Sequence, residues 1–154
     1  MGEAHFYHLT RRAVAEALPL LLERAVGRSW RVAVRGTDMD RLRHLDEALW
    51  LGPKEGFLAH GLAGGPHDAR QPVLLTDRAE APNRPDCLFA IDGAELAAPE
   101  LAGLERACVL FDGTDGAALA HARAQWSALT GAGAPARYWS EESGKWEEKA
   151  TKNV

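Results

Sequence analysis

The sequence predicts one α/β domain, a mostly parallel sheet with helices on both faces. Two observations carry this. Strand-like and helix-like segments alternate along the chain, as they do where parallel strands are joined by helical crossovers. Several strand-like runs, among them CLFAID (87–92) and ACVLF (107–111), are apolar nearly throughout, which suits strands covered on both faces. The 154 residues suffice for one domain with its own core, and 46% hydrophobic and 26% charged residues are ordinary for a globular chain.

HFYHL (5–9) reads as the first strand. Thr10 is placed to cap a helix whose core stripe is Leu18, Leu21, Leu22 and Val26. Pro19 interrupts that stripe, which predicts a kink or a restart, and Gly27 ends it. RVAVR (31–35) is a short strand. Thr37 or Asp38 then caps a second helix to about Trp50, with Met39, Leu42, Leu45 and Leu49 on one stripe. Residues 51–71 are rich in Gly and Pro and read as a long connection. PVLLT (72–76), CLFAID and ACVLF are buried strands, and residues 94–105 are weakly helical around Pro99. Asp115 caps a third helix that Gly131 and Gly133 stop, and Ala136 to Trp139 form a last edge strand. The expected domain spans 1–140. Residues 141–154 form a polar tail, partly disordered or packed through Trp146.

Composition narrows the function classes. The net charge is −4, and Arg11, Arg12, Arg24, Arg28, Arg31, Arg35, Arg41 and Arg43 are interspersed with acids, so they read as a solvated surface. Direct nucleic-acid binding is therefore disfavoured. No stretch nears the roughly 18 consecutive apolar residues that span a bilayer. The opening MGEAHFYHLTRR lacks the layout of a secretory signal, so a cytoplasmic location is expected. Cys87 and Cys108 then read as buried free thiols rather than a disulfide.

A nucleotide-binding sheet needs glycines after its first strand, so that backbone N–H groups can approach phosphate. Here that position reads His-Leu-Thr-Arg-Arg, with no phosphate-binding loop. Gly61, Gly64 and Gly65 read as a flexible turn. His5 and His8 point to opposite faces of their strand, and His44, His60, His67 and His121 are scattered. No metal motif and no cofactor site emerges. Asp92 and Asp112 follow strands, where α/β enzymes place catalytic carboxylates. A hydrolase or phosphotransfer reading using them is the alternative to a binding protein, although such residues more often cap helices and shape turns.

Tryptophan is abundant, five residues in all. Trp50 ends a helix before Phe57 and Leu58, Trp126 lies one turn after Arg123, and Trp139 and Trp146 close the chain. Large aromatics near arginine at the rim of a fold are typical of protein interfaces.

The run His44-Leu45-Asp46-Glu47-Ala48-Leu49-Trp50, continued through Pro53, Phe57, His60 and Leu62-Ala63-Gly64, resembles the signature region of the DNA polymerase III chi subunit family. Phe6-Tyr7 on the opening strand fits that resemblance, as does the stretch from Ala122-Arg123 through Trp126 to Gly144-Lys145-Trp146. The resemblance implies a single Rossmann-like domain that binds no nucleotide and has no catalytic residues. It implies an accessory subunit that links the clamp loader, through the psi subunit, to the C-terminal tail of single-stranded-DNA-binding protein. The psi-facing residues carried over are Trp50 and Phe57, with Leu58 added by adjacency. The tail-binding residues carried over are Arg123 and Trp126, the tryptophan standing where the family has tyrosine. Basic residues expected one turn either side of Arg123 align with Leu119 and Ser127, so Arg137, Lys145 and Lys149 are the candidates to compensate.

Overall fold

A computed structural model describes residues 2–51 and 58–154. Among the described residues, eight strands form one sheet: β1 (Glu3–Leu9), β2 (Val32–Arg35), β3 (Gly61–Leu62), β4 (Val73–Thr76), β5 (Cys87–Ala90), β6 (Arg106–Asp112), β7 (Ala136–Ser140) and β8 (Glu147–Lys152). Their order across the sheet is β3-β4-β2-β5-β6-β1-β7-β8. Every neighbouring pair is parallel except β7 and β8, which form an antiparallel hairpin.

Among the described residues three α-helices cover the sheet: α1 (Val14–Gly27), α2 (Met39–Trp50) and α3 (Gly116–Gly131). Side chains alternate across the strands, so each strand feeds two cores. Tyr7, Leu9, Val34, Phe89 and Leu110 face α1 and α2. Phe6, Ala33, Ala90, Val109 and Phe111 face α3 and a 3₁₀ turn at Ala98–Gly103. Covered on both sides, the inner strands can be apolar at every position, which is why their sequences do not alternate. No helix among the described residues is long and apolar enough to cross a membrane.

Several local expectations are corrected. α1 begins at Val14 rather than after Thr10. The N–H groups of Thr10, Arg11 and Arg12 are instead taken by one carboxylate oxygen of Glu141, at 3.2, 2.9 and 2.8 Å. α1 also runs through Pro19 without restarting. The 51–71 connection carries β3 and a 3₁₀ turn at Asp68–Arg70, and β7 is covered by β8 instead of lying at the edge. Gly61 lies in β3. The N–H groups of Gly64 and Gly65 both bind the Asp68 carboxylate, at 2.9 and 3.0 Å, so that glycine turn is closed by the chain's own acid. Asp38 and Asp115 do cap α2 and α3. Cys87 and Cys108 are buried free thiols, and contact with Cys108, with burial added, raises the Cys87 pKa well above its ordinary value.

Arg35 is not on a solvated surface. Its side chain is 9% exposed and forms a two-pronged ion pair with Glu100, at 2.7 and 3.1 Å. Its guanidinium also donates to the Ala79 and Glu95 carbonyls. This ties the end of β2 to the 3₁₀ turn beneath α3. Glu100→Ala would leave a buried, unpaired charge, and is expected to lower the unfolding free energy by about 2–3 kcal/mol, less than a fully buried pair because Glu100 is partly exposed. A urea midpoint unchanged at constant slope would refute that role.

Candidate functional site

Two separated surfaces hold the described residues that the sequence singles out for binding partners. The first is the C-terminal end of α2. Leu42, Leu45 and Leu49 take the core positions, so Trp50, next in the helical rotation, is turned outward. It is 54% exposed, and the following Leu51 is 85% exposed. Beneath Trp50 lies the buried ring of His60, 4.3 Å away between centroids. His60 is held through Nδ1 to the Leu58 carbonyl (2.7 Å), and through Nε2 to the Asp46 carbonyl (3.2 Å) and carboxylate (3.1 Å). The end of α2 and the strand returning to the sheet are thus clamped together under an exposed indole. Leu58 is half-buried and packs against the α1–α2 core. Phe57 lies outside the described residues.

The second surface lies on α3, across the sheet from α1. Arg123 is exposed, and its side chain makes no ion pair or hydrogen bond among the described residues. Trp126 is half-buried. Its ring meets Phe6 (5.3 Å) and Tyr138 (5.8 Å) edge to face, so it forms a floor and not a free wall. Tyr138 was not singled out from the sequence, yet it joins this floor and hydrogen-bonds His8 Nδ1 at 2.6 Å. Burial raises the Tyr138 pKa, and the charge of Arg123 pulls it part of the way back. His8 fits there because residue 113 is glycine: a Cβ at Gly113 would stand 1.8 Å from the His8 ring. Of the candidate compensating cations, Arg137 is spent on Glu3 and Glu148, and Lys149 on Glu147. Lys145 lies on the α1 side of the sheet, beside Arg24, Glu141 and Trp146, which leaves Arg123 as the cation on the α3 face without an acidic partner among the described residues.

The carboxylates of the alternative, enzymatic reading line a crevice of about 750 Å³ at the C-terminal ends of β5 and β6. Position there suits catalysis, but each carboxylate has a structural task. Both oxygens of Asp92 are held by Arg41, at 2.9 Å each. Asp112 accepts from the Thr114 hydroxyl (2.6 Å) and amide (2.9 Å), which lowers its pKa. Asp38 and Asp115 are helix caps. No group of three or more His, Cys, Asp or Glu among the described residues is arranged to hold a metal.

A family model described as "DNA polymerase III chi subunit, HolC" matches residues 1–137. A curated relative, the "Probable DNA polymerase III subunit chi" of Rickettsia prowazekii (strain Madrid E), is 26% identical over 97 residues, 63% of this chain. The match spans 59% of that relative's length.

Proposed function

The chain belongs to the DNA polymerase III chi subunit family, and on that premise we propose that it is a non-catalytic accessory subunit of the bacterial replicase, working in DNA replication as a two-sided adaptor. One side is the apolar end of α2 around Trp50, which takes the psi subunit and so the clamp loader, with Phe57 adjoining it in sequence. The other is Arg123 above the Trp126 floor, which takes the acidic C-terminal tail of single-stranded-DNA-binding protein. The observation that carries this reading is the contrast between the surfaces: an exposed indole and leucine on one, and an unpaired arginine over packed aromatics on the other.

Each surface has the chemistry its partner needs. An aromatic backed on one face by the His60 ring offers its open face to an apolar segment. A guanidinium can grip a terminal carboxylate with two parallel hydrogen bonds. The β1–α1 turn supports the non-catalytic part of the proposal. In nucleotide-binding sheets that turn cradles phosphate, whereas here its three N–H groups converge on Glu141.

Calorimetric titration tests the assignment. Arg123→Ala should weaken binding of a peptide carrying the tail sequence by at least about tenfold, with psi binding unchanged. Trp50→Ala should do the converse, by a similar factor. Tail binding should weaken steeply with added salt, and psi binding should not. Loss of both partners in either variant, or of neither, would defeat the two-surface reading.

A further inference from the structure

On the face opposite α3, a cavity of about 270 Å³ opens between the last turn of α1 and the starting ends of β1, β5 and β6. We propose that it is a binding site for a small organic anion, a carboxylate carried on an aromatic or branched apolar body. Nothing in the two-surface reading depends on this site, and the sheet separates it from Arg123.

Charge is the first argument. Arg24 and Arg28 come from α1 and its C-cap, and Arg106 from the start of β6. None of the three side chains makes an ion pair or hydrogen bond among the described residues, in a chain whose net charge is −4. Arg28 and Arg106 both lie over the Trp30 ring, with guanidinium carbons 5.0 and 5.3 Å from its centroid. That contact orients them but neutralises neither. The C-terminal dipole of α1 accounts for Arg24 and Arg28 in part. It does not account for Arg106, which arrives from a strand. Three like charges converge on a cavity whose lining holds no carboxylate, and Glu3, the acid that senses Arg106, is already paired with Arg137, so the site favours an anion.

The walls define the rest of the ligand. Tyr7, Phe89, Trp139 and Trp146 supply apolar and aromatic surface. No carboxylate, amide or aliphatic hydroxyl side chain lines the cavity, so the side-chain acceptors for a sugar or a base edge are few, the Tyr7 phenol and two thiols among them. This disfavours a nucleotide and favours a ligand that brings only acceptors and apolar surface. His5 is an independent sign of an unfilled polar need. It is 5% exposed, and the Trp139 indole N–H donates to its Nδ1 at 3.2 Å. In the neutral ring the remaining proton is then on Nε2, which is buried without a partner.

Trp30, Trp139 and Trp146 line the site, so indole fluorescence reports on it directly. The probes are 3-phenylpropionate, its uncharged amide, and inorganic phosphate, each titrated into the full chain. The expected result is saturable binding of 3-phenylpropionate below roughly 10 mM, with the amide and phosphate at least about tenfold weaker. Arg28→Ala and Arg106→Ala should each weaken it by a similar factor. Arg24→Ala, an exposed helix position, serves as a further variant if Arg106→Ala lowers the unfolding midpoint. Absence of saturation with 3-phenylpropionate, equal binding of the amide, or undiminished binding in folded arginine variants would overturn the proposal. Tighter binding of phosphate would do so too, by showing that the apolar walls are not used.

Discussion

Glu141→Ala is expected to lower the unfolding free energy by about 3 kcal/mol, because its carboxylate accepts three backbone N–H groups that no other residue serves. Glu141 is 3% exposed and stands at the end of β7, more than a hundred residues from the turn it closes. Truncation would leave the Thr10, Arg11 and Arg12 amides unmatched at the entrance to α1. The Arg12 guanidinium, 3.7 Å from the same carboxylate, would lose its partner as well. Glu141→Gln keeps an acceptor oxygen and should cost about 1 kcal/mol. Urea unfolding at neutral pH measures both, and the midpoint should move while the slope holds. A shift in Glu141→Ala no larger than in Glu141→Gln would mean that water replaces the carboxylate there.

Acidification should expose a second weak point, His5. Burial, reinforced by the charge of Arg106, lowers its pKa from 6.5 to about 4, and Glu3 opposes this only in part. Arg28 and Arg137 act in the same direction as Arg106. The folded-state pKa lies below the unfolded value, so between them the unfolded chain binds more protons. Stability from this group is complete above pH 6.5 and is lost as pH falls through 6.5 towards 4. The loss levels off below both values. Its full size is about 3 kcal/mol. His5→Leu should lack this component, so its urea midpoint should vary less with pH across that window than that of the parent chain. Equal slopes in the two proteins would refute the assignment to His5.

The elements most readable in the sequence were those whose own side chains dictate them. Apolar runs marked the inner strands, and Asp38 and Asp115 marked the starts of α2 and α3, because burial and capping are local signals. What escaped was set by partners distant in sequence. The start of α1 is fixed by Glu141 and not by Thr10. β8 reads Glu-Glu-Lys-Ala-Thr-Lys and is exposed throughout, so no hydrophobic pattern announces it; backbone pairing with β7 makes it a strand. Arg35 looked like a surface arginine because its partner Glu100 lies 65 positions away. At the proposed tail-docking surface, resemblance supplied Arg123 and Trp126. Tyr138 was invisible because only strand pairing brings β7 beside the rings that form the floor.

The adaptor proposal requires that the two surfaces act at once. The most direct test is a titration of the tail peptide of single-stranded-DNA-binding protein into the chain alone and into its preformed complex with psi. The surfaces lie on α2 and α3, on opposite faces of the sheet. Tail affinity should therefore be equal within about twofold in the two titrations. Displacement of psi by the peptide, or loss of tail binding in the psi complex, would contradict the account.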